Sequence, residues 1–178
     1  MPLSVGGGVS KLEDAIFLIQ NGADKVVINS AAYKNPELLS RIADRFGIQA
    51  VVVSIDARRN GDGYAVVSAS ASRHEPVCLQ EHIHACESAG AGEFLIQSVD
   101  QDGTMEGFDI FLLRIACAAA KVPVIGCGGS GQYNNLKEAF LETQVSALAC
   151  GSLFNFSDSN PMRAKAFLSN YGLRFKVV

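Results

Sequence analysis

The sequence predicts an α/β fold of parallel strands covered by helices, and three observations carry that prediction. Short, almost continuously apolar runs alternate with amphipathic stretches of helical period along the chain. The carboxyl ends of those runs collect glycine, small hydroxyls, amides and carboxylates. Two stretches, PLSVGGGVS from Pro2 and PVIGCGGSG from Pro123, echo each other. Strands buried on both faces read as unbroken apolar runs, the signature of a parallel sheet with helices packed against it.

Residues 3–5 form the first run. Ser10 and Glu13 then fit an S-x-x-E capping box, with Leu12, Ala15, Ile16 and Ile19 on one helical face. Asn21-Gly22 stops that helix. Residues 26–28 make the second strand. Pro36 opens a helix that turns Leu38, Leu39, Ile42, Ala43 and Phe46 inward and halts at Gly47. The third strand, 51–55, ends in Asp56. Residues 58–72 read as an excursion, with NGDG as a hairpin turn ahead of a strand at 64–67. A helix at 79–89, a strand at 94–96 and a very apolar helix at 109–119 follow. A strand at 124–125, a helix at 136–141, a strand at 147–149 and a helix at 161–170 complete the series. No linker-like composition interrupts it, so residues 1–178 are expected to form one domain.

Composition narrows the function classes. The chain has 178 residues, 48% apolar and 19% charged, enough for a single-domain core. A net charge of −3 and no basic run argue against a nucleic-acid surface. No apolar stretch approaches the roughly 18 residues of a membrane span, and the start lacks the pattern of a signal peptide. Five cysteines in no framework spacing read as reduced thiols, which predicts a cytoplasmic location.

The echo extends over thirty residues without a gap at an offset of 121, setting Gly7 and Gly8 on Gly128 and Gly129, Asn29 on Cys150 and Ser30 on Gly151. Each copy reads as strand, glycine loop, helix, strand. Two further units lie between the copies, so the period is four βα units, half of an eight-fold barrel. The expected fold is therefore a (β/α)8 TIM barrel truncated to about six βα units, strands three to eight, with internal half-barrel duplication. On this reading about 75–80 residues of a typical barrel would precede Met1. An open α/β sheet, whole as it stands, is the alternative.

In such folds ligands sit beyond the carboxyl ends of the strands. Two glycine loops, each followed by a small polar pair, suit phosphate, because bare backbone N–H groups and short donors close around its oxygens. Their duplication predicts a substrate with a phosphate at each end. Asp56, held at the mouth by a rigid apolar strand, is the candidate acid/base group; a loop-anchoring aspartate is the structural alternative. Asp102, in DQDGT, fits a turn and also the orientation of a substrate hydroxyl. Lys25 and Glu93 precede their strands, where they either snorkel to the surface or form a charged layer at the opposite end of the barrel.

Three other patterns compete. Residues 126–131 fit G-x-G-x-x-G after a strand, but Cys150 and Gly151 stand where a dinucleotide site needs an acidic residue. Cys78, His82 and Cys86 recur every four residues, like helix-borne metal ligands or a half-buried face, with no evident fourth ligand. Cys127 is a candidate nucleophile without a basic neighbour in sequence. No metal or cofactor is expected.

The motifs VGGGV, GADKVVINSAA, QAVVVSIDARR, GAGEFLIQSVDQDGTMEG, PVIGCGGSG and ALACGSLFNF, in this order from end to end, resemble those of the cyclase subunit of imidazole glycerol phosphate synthase, of histidine biosynthesis. The resemblance implies a (β/α)8 barrel that receives ammonia from a glutaminase partner in a heterodimer. The ammonia would react with a bis-phosphorylated ribulosyl aminoimidazole carboxamide nucleotide, giving imidazole glycerol phosphate and aminoimidazole carboxamide ribotide. It further implies two catalytic aspartates, of which Asp56 matches the one on strand five; the other belongs to strand one, and no residue here matches it. Lys25 and Glu93 match half of a four-residue charged gate for ammonia. Gly8, Asn29, Ser30, Asp102, Gly103, Gly129 and Ser152 match phosphate or substrate contacts, and Gly151 joins them from the strand-end reading. Gln97 stands where the family usually has threonine and Cys127 where it has serine. The tail NPMRAKAFLSNYGLRFK looks more like a paralogous barrel that channels ammonia for amidation of a surface-polysaccharide sugar. An inactive barrel fragment is the non-enzymatic alternative.

Overall fold

A computed structural model describes residues 2–68, 70 and 72–175. Ala69 and Ala71 of the expected excursion lie outside the described residues. Six parallel strands form the sheet in chain order: β1 (Ser4–Gly6), β2 (Lys25–Ile28), β3 (Val51–Asn60), β6 (Glu93–Ser98), β7 (Val124–Cys127) and β8 (Ala147–Ala149). Each step between neighbours is parallel, with helices as crossovers: α1 (Leu12–Gln20), α2 (Ser30–Lys34) and α3 (Glu37–Phe46), α4 (Leu79–Ser88), α5 (Ile110–Ala119) and α6 (Tyr133–Glu142). The chain ends with α7 (Ser152–Asn155) and α8 (Pro161–Ser169). This is a curled partial (β/α) barrel, as the apolar runs predict, with β1 and β8 at its edges among the described residues.

The period of two along each strand sorts residues to two faces. Val26, Ile28, Val51, Val53, Ile55, Phe94, Ile96 and Val124 belong to the helix-covered core. Leu38, Leu39 and Ile42 of α3 and Leu112 of α5 pack there with 0% exposure. Burying such a side chain is worth about 1.5–3 kcal/mol, so this face dictates which way every strand points. The alternate residues, Lys25 and Val27, Val52, Ser54 and Asp56, Glu93, Leu95 and Gln97, Ile125 and Cys127, therefore share the concave face. Register confirms their alignment in rows, with Asp56 opposite Gln97 and Gln97 opposite Cys127.

The excursion after β3 holds one strand more than expected. β4 (Gly63–Ser68) pairs with β3 in antiparallel fashion, and β5 (Arg73–Cys78) pairs with β4. RHEPVC has no apolar alternation, so only its hairpin partner makes it a strand. The capping box also needs correction. Helix α1 begins at Leu12, and Asp14, not Glu13, reaches back to accept from Ser10 N at 3.0 Å and Lys11 N at 3.1 Å.

The repeat is real but not gapless. Asp14 in the first copy corresponds to Asn135 in the second, which accepts from Gly131 N at 3.2 Å and Gln132 N at 2.9 Å; the offset there is 121. Helix α6 has ten residues against nine in α1. Beyond it the register moves on: Ser4 faces Lys25 while Ile125 faces Ala147. The offset becomes 122, so Asn29 corresponds to Gly151 and Ser30 to Ser152, rather than to Cys150 and Gly151. The one-turn helices agree, α2 starting at Ser30 and α7 at Ser152.

Candidate functional site

The carboxyl ends of the strands gather most of the residues singled out from the sequence. Asp56 lies near the end of the parallel-paired part of β3, on the concave face. Its Oδ2 accepts from Asn29 Nδ2 at 3.0 Å, a cross-strand contact that sequence spacing does not show. Burial pushes the Asp56 carboxyl above its ordinary range, the Asn29 bond opposes that, and the charge of Asp102 adds to it. Asp102 sits in the loop after β6, where Gln97 Nε2 donates to its Oδ2 at 3.1 Å. Asn29, Asp56, Gln97 and Asp102 are thus linked by hydrogen bonds or by charge at one end of the sheet.

Beside Asp56 lies a cleft of about 480 Å³, lined by Gly6, Gly7, Gly8, Asn29, Ser30 and Lys34 among others. Gly7 and Gly8 have φ of +103° and +95°, and a Cβ on either would meet nothing within 4 Å. Only backbone conformation demands glycine there, so the loop's polar groups stay open to the cleft. Lys34 was not singled out from the sequence. It follows Ser30 by four residues, one helical turn, and that spacing was the signal available.

The second glycine loop is built alike but packed differently. Gly128 and Gly129 have φ of +96° and +94°. A Cβ on Gly129 would collide with the Gly107 carbonyl, and one on Gly128 would lie 2.7 Å from the Ser98 carbonyl. Gly107 N donates to Gly129 O at 2.7 Å. This loop is a seat for the segment that carries Asp102 and Gly103. Gly151 and Ser152 stand beyond β8, on the far side of that seat, and a Cβ on Gly151 would meet nothing within 4 Å.

Lys25 and Glu93 occupy the opposite, amino-terminal end of the concave face. Lys25 Nζ and Glu93 Oε2 form a salt bridge of 2.7 Å that reaches across β3. Both therefore point inward, against the snorkelling alternative. Between this pair and Asp56 the concave face presents Val27, Val52, Leu95 and Ile125, with the Ser54 hydroxyl beside Leu95, and carries no charge.

The competing patterns resolve into packing. His82 stacks on Tyr33, ring centroids 4.0 Å apart, and burial pushes its pKa down to about 4. Cys86 is buried beside it, its thiol raised to about 12, whereas Cys78 is exposed and accepts from Glu81 N at the start of α4. Burial, aided by the Asp102 charge, lifts the Cys127 thiol to about 11. It stands as a neutral thiol at the mouth, not as a thiolate nucleophile. In the G-x-G-x-x-G stretch, Gly131 is closely overlaid by Met105, so the loop is covered by its own chain.

Relatives place these features in context. Residues 1–159 match the family described as histidine biosynthesis protein. The imidazole glycerol phosphate synthase subunit HisF of Prosthecochloris aestuarii is 40% identical over 173 residues, 97% of this chain and 69% of that protein. The HisF subunit of Hyphomonas neptunium is 40% identical over 178 residues, 100% of this chain and 71% of its own length. That of Lactococcus lactis subsp. cremoris is 41% identical over 161 residues, covering 89% and 62% respectively. A curled βα array with a duplicated glycine loop and a mouth aspartate, matched at this identity along nearly its whole length, belongs to the histidine biosynthesis protein family.

Proposed function

We propose that this chain carries the cyclase activity of imidazole glycerol phosphate synthase, using ammonia from a glutaminase subunit. The nucleotide substrate and the two products are those given above for the family. The observation that carries the reading is the concave face itself, with a charged pair at one end, an uncharged and mostly apolar middle, and Asp56 at the other end between two pseudo-symmetric glycine loops. Ammonia enters past Lys25 and Glu93 from the partner docked at that end. Neutral ammonia crosses Val27, Leu95 and Ile125 more readily than ammonium, whose charge is strongly hydrated.

At the mouth, backbone N–H groups of the Gly7-Gly8 loop, Ser30 and Lys34 hold one phosphate. Gly151 and Ser152 hold the other, beside the loop that Gly129, buried under the Gly107 carbonyl, shapes. Substrate is thereby stretched across Asp56, an arrangement that converts binding at its two ends into orientation at its centre. Asp56, its pKa raised by burial, moves protons as general acid or base. Asn29 fixes that carboxyl, and its own Oδ1 is buried without a hydrogen-bond partner among the described residues. Asp102 and Gly103 orient substrate hydroxyls. The chain acts in the cytoplasm as one domain, with no resident metal or cofactor in this scheme.

The test is turnover of the nucleotide with ammonium salt as nitrogen source, followed by glutamine with the glutaminase subunit added. Restoration of growth in a histidine auxotroph is the cellular counterpart. Turnover that requires a sugar acceptor instead would replace this reading with the amidation one.

A further inference from the structure

We infer that Arg59 is a positioning residue, clamping both ends of the loop that carries Asp102 onto the hairpin after β3. The inference rests on the function proposed above for the mouth.

The loop leaves β6 at Ser98 and enters α5 after Asp109. At its first end, Arg59 N donates to Asp100 Oδ2 at 2.7 Å. At its other end, the Arg59 guanidinium reaches Asp109 Oδ2 at 3.5 Å and donates to the Tyr64 hydroxyl at 2.9 Å. Tyr64 in turn donates to Asp109 Oδ1 at 2.6 Å, and its ring lies under the guanidinium with 5.3 Å to the centroid. The Asp109 side chain is 7% exposed, so its charge needs such partners. It also caps α5 by accepting from Leu112 N at 3.1 Å.

Between the two clamped ends lie Asp102, Gly103 and Thr104. Asp102 N donates to Ser98 O at 3.0 Å, and Gly107 N rests on the second glycine loop. The span is short and held on three sides. The hairpin β4–β5, which pairs with β3 from Asp56 onward, thus acquires a purpose: Tyr64 on β4 completes the bracket that Arg59 closes. None of these three residues needs to touch substrate, since their effect passes through Asp102.

The experiment uses the full chain. Backbone hydrogen exchange of residues 100–106 and of α5, with carbon-13 titration of Asp56, is compared between wild type and Arg59→Ala. Arg59→Ala keeps the backbone N–H that holds Asp100 and removes the guanidinium's hold on Tyr64 and Asp109. The expected result is exchange at 103–106 about tenfold faster, with α5 amides unchanged because Asp109 still caps them through Leu112 N. The groups facing Asp56 are Asn29, Tyr33, Asp102 and Cys127. Tyr33 and Cys127 stay neutral, so release of Asp102 lowers the Asp56 titration midpoint.

Unchanged loop exchange, faster exchange in α5 alongside the loop, or an unmoved Asp56 midpoint overturns the inference. Should Arg59→Ala not fold, Arg59→Lys and Tyr64→Phe give smaller changes in the same directions, and no change in either overturns it equally. In the ammonium assay, KM for the nucleotide rises about tenfold in Arg59→Ala with kcat within twofold, and Arg59→Lys recovers part of the loss. A wild-type chain with no turnover removes the functional reading, while exchange and titration still decide whether Arg59 holds the loop.

Discussion

The first and last βαβ units are the same device built twice, and they differ in what surrounds them. In both, two glycines of positive φ follow a strand, and a side chain three residues into the helix reaches back to cap it. The first loop opens on a cleft of about 480 Å³ beside Asn29, Ser30 and Lys34. The second supports the Gly107 segment through a hydrogen bond and close backbone contact. A repeated glycine therefore need not have one cause. In the first copy, conformation demands it and leaves room for a ligand. In the second, packing of the Asp102 loop demands it as well. The polar partner beyond the second strand differs too, since Asn29 holds Asp56 whereas Gly151 offers no side chain.

Substitutions that treat the copies unequally test this contrast. The largest effect is expected at Asp56, which the first copy alone supports. Asp56→Asn lowers kcat by about 10²–10⁴-fold, measured with ammonium salt, and leaves the fold intact. Burial raises the Asp56 pKa, so ionisation disfavours the folded state as pH rises from the ordinary carboxylate value through the raised one. The Asn variant is accordingly at least as stable as wild type at neutral pH. The two converge below about pH 4 in denaturant titrations. The acid limb of kcat/KM falls above the ordinary carboxylate range for the same reason.

Next comes the glycine pair. Gly129→Ala forces a Cβ into the Gly107 carbonyl and costs about 3 kcal/mol or more of stability. Gly8→Ala meets only conformational strain, about 1–2 kcal/mol, and its main consequence is weaker binding of a phosphate ester. Equal losses in urea unfolding would erase the distinction drawn between the loops. Smaller still are Ser30→Ala and Ser152→Ala, each expected to weaken substrate about tenfold through one lost charge-assisted hydrogen bond. Calorimetric titration of Ser152→Ala and Gly151→Ala decides between the offset of 122 and that of 121.

The smallest effect concerns the two caps. Hydrogen bonds from Ser10 and Lys11 hold the Asp14 carboxyl below its usual range, so its contribution to stability is present above the unfolded carboxylate pKa and fades as pH falls through the folded one. Asn135 performs the same duty with an amide that does not titrate, in a site 6% exposed. Thermal melts should show Asn135→Ala more damaging than Asp14→Ala at pH 7, and only the latter difference shrinking in acid.

The strands were legible because helix-covered parallel strands are apolar without interruption, and 51–55 or 94–96 admit little else. The strand at Arg73–Cys78 was not, since Arg73, His74, Glu75 and Pro76 carry no β pattern and pair only because β4 lies alongside. The helices Ser30–Lys34 and Ser152–Asn155 are too short to show a period. Ser10 and Glu13 satisfied the capping formula, yet the helix starts a residue later and Asp14 takes the role. At the site, Asp56 and the glycine loops stood out by their place at strand ends. The bonds that organise them were not visible there: Asn29 to Asp56, and Arg59 to Asp100 and Asp109, join residues far apart in the chain, and Gln97 meets Asp102 only through the fold of the loop after β6.

The tenth residue of α6 bears on how the halves of this molecule can be exchanged. A helix gaining one residue turns its exit by about 100° and advances it about 1.5 Å, yet β8 still joins β7, so the surplus is absorbed at the helix's end. A chimaera that grafts one unit onto the other's place should be spliced at the glycine loop and again past Ser30 or Ser152. A junction inside the helix would carry the mismatch into the strand and turn its concave side chains toward the core.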